Sequence, residues 1–357
     1  MKNKKFEKFL KLYDYSLPSE LIAKKPASPR DSAKLLVYKR KTNQAFFDTF
    51  KNLGKYLPKN SVLVLNDTRV LPARLVVKKP TGGLARILYI DKNKNLLEFL
   101  SDRNLDIGSK IEINPKIFFI VKNKVGGHYF LKPSFSINKT FEILEKYGIT
   151  PIPPYIKNVP LSEKQLRKEY QTVFAENKGS VAAPTASLHF TKRLLREIQK
   201  AGHKIIYITL HVNLGTFAPL TEENLKKLKL HTEYYEISKR STEILNKAKK
   251  DSAPIIAVGT TVVRALESAV NNHSLSRETR ANCLKKLNGE TNIFIKEGYK
   301  FKFVDGLITN FHVPKSSLLM LVSALVGRKL LLNLYKKAIS KKFRFFSFGD
   351  GMLIIDK

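Results

Sequence analysis

The side chains able to do acid–base or ligand chemistry in this sequence gather where predicted strands end. His189 lies near the end of the stretch Tyr170 to Thr191, YQTVFAENKGSVAAPTASLHFT, which opens on a predicted strand, Tyr170 to Ala175. Small residues from Ser180 to Ser187, broken by Pro184, let the backbone there lie close to another segment or to a ligand. Thr185 falls inside that run, and Thr191 is placed to cap a helix from Lys192 to Ala201 that Gly202 closes. His211 belongs to a predicted strand, Lys204 to Val212, that empties into Asn213-Leu214-Gly215-Thr216. Thr260 and Thr261 follow the strand Ile255 to Val258 and open a helix carrying Arg264. Asn310 ends the strand Leu307 to Asn310; His312, Lys315 and Ser316 then precede the helix Ser317 to Val326. Asp67 and Arg69 follow the apolar strand Ser61 to Leu65, and Asp350 follows a predicted strand Phe343 to Phe348. Polar groups at several equivalent strand ends point to one pocket at the carboxyl edge of a sheet. Histidine and carboxylate there could move protons; arginine, lysine and helix N-termini could hold an anion. Each residue also has a plain structural role open to it. A histidine can be a core group, Asn66-Asp67-Thr68 a turn, a threonine an N-cap, and an arginine half of an ion pair.

The elements that must position these groups read as α/β. Strands and helices alternate from Tyr170 onward, with helices Thr242 to Lys250, Val262 to Asn271 and Leu330 to Lys341, and strands Thr291 to Ile295 and Phe301 to Val304. Asn272 to Asn288 is polar and reads as loop or surface helix. Upstream come a short helix Pro18 to Lys24, strands Leu35 to Tyr38 and Ala45 to Phe47, and a helix Phe50 to Leu57. Between Arg74 and Phe130 only short strands are found, with Gly82-Gly83 and Gly126-Gly127 as hairpin turns, which suits a small β-barrel or sandwich. A helix Phe141 to Tyr147 and the proline-rich joint Thr150 to Tyr155 follow. The predicted architecture is a larger α/β domain built from residues 1–73 and 148–357, with a smaller inserted β-barrel domain at 74–147.

Bulk composition narrows the partners. The 357 residues carry a formal charge of +35, and the pI is near 10.0. Such a field favours a polyanion, with nucleic acid first and an acidic membrane surface second. Lys336, Lys337, Lys341 and Lys342, and Lys226, Lys227 and Lys229, are candidate phosphate surfaces. One cysteine, Cys283, excludes an internal disulfide and a cysteine zinc cluster and fits a reducing cytoplasm. His189, His211, His231 and His312 are too dispersed to predict a metal site. No GxGxxG, P-loop, HExxH or GxSxG motif occurs. No signal peptide is expected, and the longest apolar run, Leu318 to Val326, falls far short of the roughly 20 residues a membrane span needs.

Nine stretches carry a family resemblance, in order along almost the whole chain. They are YDYSLPSELIAKKPASPRD, LNDTRVLPARL, PIPPYI, YQTVFAENKGSVAAPTASLHFT, TLHVNLGTFAPL, HTEYYEIS, IAVGTTVVRALES, VDGLITNFHVPKSSLLMLVSAL and FRFFSFGDGMLI. The chain resembles the S-adenosylmethionine:tRNA ribosyltransferase-isomerases of the queuosine pathway. The resemblance implies a larger α/β domain with a small β-barrel inserted. It also implies transfer of the ribosyl part of S-adenosylmethionine to 7-aminomethyl-7-deazaguanine at the tRNA wobble position. The sugar becomes an epoxycyclopentane, adenine and methionine leave, and S-adenosylmethionine is a consumed co-substrate; no metal is implied. The partner is the tRNA anticodon loop, from which the target base must leave its stack.

That chemistry calls for a base beside the sulfonium, a proton donor for adenine and a clamp for the methionine carboxylate. His189, His211, Asp67 and Asp350 are the acid–base candidates. Arg69, Thr185, Thr260, Thr261, Arg264, Asn310, His312, Lys315 and Ser316 are the substrate-binding candidates. Ser187 and Asn213 stand where the family pattern has glycine, a change that matters only where φ is positive. HTEYYE replaces the pattern's HSEWYE. A catalytically altered relative that binds structured RNA, and a hydrolase using a serine of the small-residue loop, are the alternatives.

Overall fold

A computed structural model describes residues 4–213, 219–270, 283–285 and 287–356. Among the described residues nine strands form one sheet and six others close into a barrel. The sheet runs in the order Asn288–Ile293, Lys229–Glu236, Lys204–Leu210, Val62–Asn66, Ile255–Val258, Gly306–Asn310, Gly351–Ile355, Lys34–Lys39, Gln44–Thr49. Four of the central strands, Lys204–Leu210 through Gly306–Asn310, are parallel neighbours. Their carboxyl ends therefore share one edge. Gly351–Ile355 runs antiparallel to its neighbour and pairs Gly351 with Asn310, so its amino end reaches the same edge.

The central strands are apolar and buried at every position because both faces of the sheet are covered. Successive side chains point to opposite faces. Val62 and Val64 pack with the helices Lys239–Lys250, Thr260–Ala269, Ser317–Val326 and Arg328–Ser340. Leu63 and Leu65 pack with Phe50, Leu53 and the helix Lys192–Lys200. The result is a three-layer α/β/α body. The helices Ser317–Val326 and Arg328–Ser340 meet at a 107° bend, and no single described helix is long and apolar enough to cross a membrane.

The barrel is built from Arg74–Lys78, Leu84–Asn93, Leu96–Ser101, Lys110–Asn114, Ile117–Val125 and His128–Pro133. Ala85, Ile87 and Tyr89 alternate inward with Phe99 and Phe119 to fill it. Its two connections to the sheet body cross tightly. Arg74 pairs with Ile149, and a Cβ on Gly148 would come 1.7 Å from the Pro72 carbonyl oxygen.

Three predicted strands are not strands. Tyr170 closes the helix Glu163–Glu169, and Tyr170 to Ala175 turns; the strand lies later, at Asn177–Ser180. The backbone N–H groups of Glu176 and Asn177 donate to the Asp67 carbonyl, which draws this polar segment alongside Thr68–Val70. Phe301 to Val304 is irregular because the buried Glu267 carboxylate accepts the N–H groups of Lys302, Phe303 and Val304. Phe343 to Phe348 makes one bridge, Phe345 to Ile22, before the chain turns. The strand here is Gly351–Ile355. Most of Asn272 to Asn288 lies outside the described residues. Ser187 and Asn213 are not among the residues with positive φ, so neither replacement of glycine strains the backbone.

Candidate active site

The ends of three of the four parallel strands form one cleft of about 620 Å³, counted out to its mouth. Val212 lines it beyond Leu210, Gly259 to Thr261 beyond Val258, and Thr309 to Val313 around Asn310. Ala183 to Ala186 of the small-residue run supply another wall, where large side chains would fill the space. Tyr155, Phe346 and Ser347 complete it. Of the residues singled out above, Thr185, Thr260, Thr261, Asn310 and His312 line this cleft. The stretch Leu214 to Thr216, expected at the same edge, lies outside the described residues.

Asn310 organises the floor. Its side-chain Nδ2 donates to the carbonyls of Phe346 and Ser347, at 2.9 and 3.1 Å. That fixes the amide orientation, so Oδ1 faces His189 Nε2 at 3.1 Å. Nε2 must then carry the proton. His189 is buried and packs on Phe50 with ring centroids 4.7 Å apart. Burial pushes its pKa from 6.5 down to about 4, so it is neutral at pH 7. It does not line the cleft; it orients Asn310 from behind. Phe346 holds φ at 70°, a region a bulky residue enters only when tied down. Its carbonyl takes the Asn310 amide, and its N–H donates to the Phe311 carbonyl.

His312 is the histidine in the cleft wall. Its Nε2 lies 2.8 Å from the Thr309 hydroxyl, its N–H donates to Tyr335 Oη, and its carbonyl accepts from Tyr15 Oη. Burial pushes its pKa down to about 3.

The other acid–base candidates are placed elsewhere. His211 Nδ1 is 2.8 Å from the Thr68 hydroxyl, and Thr209 donates to Asp67 Oδ1 at 2.7 Å. These four residues form a second polar cluster at the same edge. Burial lowers the pKa of His211, against the pull of Glu236 and of Asp91 in the barrel, and raises that of Asp67. The His211 ring lies over Gly179, where a Cβ would come 2.7 Å from Cε1. Asp350 is fully engaged: its carboxylate accepts the N–H groups of Lys34 and Arg344 and the Arg344 guanidinium. It closes the turn before Gly351–Ile355 and is not in the cleft.

The expected cationic clamp is also absent from the cleft. Arg264 is buried in an ion pair with Glu233. It also donates to the carbonyls of His231 and Thr291. Glu233 accepts the Asn213 N–H as well, so the pair fixes the start of the loop after Val212. Lys315 pairs with Asp14 at the surface. Ser316 caps the helix Ser317–Val326 through the Leu319 N–H. Arg69 lies in a separate groove of about 2080 Å³. No charged side chain lines the cleft among the described residues. Thr309, Tyr155, Phe346, Ser347 and Glu233 were not singled out from sequence. The inward alternation of Glu233 and Tyr235 in HTEYYE was the available signal for the last of these.

The groove holding Arg69 opens beside Thr68–Val70, the strand that leaves the central Val62–Asn66. It is lined by eight cationic side chains and one acid, Glu169. Lys25, Arg69, Lys164, Lys168 and Lys192 are exposed there and make no ion pair among the described residues. The predicted Lys226 and Lys227 are instead paired with Glu222 and Glu223 one helical turn away.

Against known proteins, residues 10–354 match the family model described as "Queuosine biosynthesis protein". The chain belongs to this family. It is 45% identical over 351 residues to the S-adenosylmethionine:tRNA ribosyltransferase-isomerase of Halothermothrix orenii, covering 96% of this chain and 98% of that one. The enzyme of the same name from Carboxydothermus hydrogenoformans is 45% identical over 355 residues, covering 97% and 99%. The crystal structure of S-adenosylmethionine tRNA ribosyltransferase from Thermotoga maritima aligns with a TM-score of 0.53 and 28% identity, over 96% of this chain and all of that one.

Proposed function

We propose that this protein acts as an S-adenosylmethionine:tRNA ribosyltransferase-isomerase. It moves the ribosyl moiety of S-adenosylmethionine onto the aminomethyl nitrogen of 7-aminomethyl-7-deazaguanine at the tRNA wobble position. The sugar is isomerised to the epoxycyclopentane of epoxyqueuosine, and adenine and methionine leave. The observation that carries this reading is likeness to relatives of that name along 96–97% of the chain. The cleft supports it, because the residues that line it come from six of the matching stretches.

The residue roles follow from what faces the cleft. Thr185, Thr260 and Thr309 offer neutral hydrogen bonds to a nucleoside, and Tyr155 and Phe346 offer aromatic surface. His312 is the imidazole of the cleft wall and is neutral there; with its pKa lowered to about 3, it acts as a base only where bound substrate raises that value. The groove around Arg69 and Lys168 receives tRNA phosphates. The setting is the cytoplasm, with its tRNA.

The hydrolase reading gains nothing from the structure. Ser180 Oγ is bonded to the Ala182 and Val212 backbone, and the buried Ser187 Oγ reaches no hydrogen-bonding partner. The test is incubation with S-adenosylmethionine and precursor-bearing tRNA. Release of adenine and methionine that requires the tRNA is expected. RNA binding without release would make the chain a catalytically altered relative, and ester hydrolysis without RNA would replace the assignment altogether.

A further inference from the structure

We propose that the amino end of the helix Thr260–Ala269 binds the carboxylate of the methionyl tail of S-adenosylmethionine. The inference rests on the function proposed above and names a subsite within the same cleft.

The strand Ile255–Val258 turns into this ten-residue helix at Gly259, whose φ of 96° is one that side-chain-bearing residues avoid. No side chain caps the helix. The Gly259 N–H is committed to the Ile308 carbonyl and its carbonyl to the Val263 N–H. The N–H groups that follow, in the first turn, have no intrahelical acceptor and sit at the positive end of the helix dipole.

A second observation points the same way. Thr261 is 7% exposed, lines the cleft, and its Oγ1 has no hydrogen-bonding partner. Buried hydroxyls in folded proteins are nearly always paired, and of the few left unpaired among the described residues Thr261 is the one that lines the cleft. Glycine at 259 answers to its φ and not to space, since a Cβ there would lie 3.5 Å from that oxygen, an ordinary contact. The carboxylate is the acceptor in S-adenosylmethionine that carries full negative charge. No cationic side chain among the described residues lines the cleft to compete for it, since Arg264 is paired with Glu233 and Lys315 with Asp14. A carboxylate has two oxygens, enough to accept both from backbone N–H groups and from the Thr261 hydroxyl.

Calorimetry of the full-length protein tests this with two probes, S-adenosylmethionine and its decarboxylated analogue. The wild type is expected to bind S-adenosylmethionine at least about tenfold tighter than the analogue. Thr261→Val should lose about tenfold for S-adenosylmethionine and keep its affinity for the analogue, while Thr261→Ser should bind like wild type. Far-UV dichroism verifies that both variants fold. Equal weakening of both probes in Thr261→Val, or no preference in the wild type, overturns the subsite and leaves the enzyme assignment standing. Weakened tRNA binding with unchanged S-adenosylmethionine affinity also overturns it, assigning the helix end to an RNA phosphate. Wild-type protein that binds neither probe overturns the proposed function as well.

Discussion

The neutral state of His189 makes a quantitative prediction about stability against pH. The imidazole is 5% exposed, and burial lowers its pKa from 6.5 to about 4. Between those values the unfolded chain holds a proton that the folded chain does not. Stability therefore rises with pH across the window, is complete above about 6.5, and is lost as pH falls through 6.5 toward 4. At about 1.4 kcal/mol per unit, the whole contribution is about 3 kcal/mol, and about 2 kcal/mol of it is gone by pH 5. His312, lowered to about 3, adds loss of the same sign. The perturbation is His189→Gln, which removes the titrating ring and keeps an amide donor for Asn310. Urea unfolding of both proteins at pH 7.5 and 5.0 gives four free energies. The fall in stability between the two pH values should be about 2 kcal/mol larger for wild type than for the variant. Equal falls would mean that His189 titrates normally in the fold, and the assignment of its proton to Nε2 and its role behind Asn310 would both fail.

Three further outcomes are expected. His312→Gln keeps a neutral hydrogen-bonding group at the cleft wall but removes the imidazole, so kcat should fall about 10²–10⁴-fold while the KM for S-adenosylmethionine changes little; wild-type kcat rejects His312 as the acid–base group. Replacing Lys25, Lys168 and Lys192 together with Gln should weaken tRNA binding and flatten its dependence on log salt by about 0.7–0.9 for each phosphate no longer neutralised. An unchanged slope in filter binding would move the RNA to another face. Glu233→Gln leaves Arg264 buried beside a neutral amide, which should cost about 3–5 kcal/mol in urea unfolding; a loss below about 1 kcal/mol would show that the pair does not hold this part of the fold.

What the sequence made legible was the edge, and what it hid was orientation. Continuous apolar runs such as Ile255–Val258 ended by Gly259-Thr260 announce a buried parallel strand and its exit, and the parallel register carries those exits to one side. Whether a polar residue at such an exit faces the ligand or the protein depends on partners that spacing does not reveal. Arg264 reads as a clamp until Glu233, 31 residues earlier, neutralises it from a neighbouring strand. Asp350 reads as a base until Arg344 and the Lys34 N–H consume its lone pairs. The misread strand Phe343 to Phe348 has the same origin. Its aromatic side chains satisfy a strand pattern, but the Phe345 and Phe346 N–H groups are drawn to the distant Leu21 and Phe311 carbonyls, and the chain then turns so tightly that a Cβ on Gly349 would meet the Phe345 backbone at 2.5 Å. The barrel was easier, because its strands pair with one another within a short span of alternating residues.

Charge is partitioned within this chain, and the partition follows from its two substrates. A net charge of +35 draws an RNA, and the groove around Lys25, Lys168 and Lys192 presents that charge unpaired. S-adenosylmethionine brings a sulfonium cation, which the same charges would repel at close range. The cleft is accordingly built from hydroxyls, amides and rings. Burial keeps His189 and His312 neutral, Glu233 cancels Arg264, and Asp14 holds Lys315 outside. Among the described residues, the helix Thr260–Ala269, with no side chain capping it, brings positive potential to the cleft as a partial charge directed at one place. A partial charge can hold the carboxylate of the tail without setting a full cation beside the sulfonium, which an arginine at the same position would do.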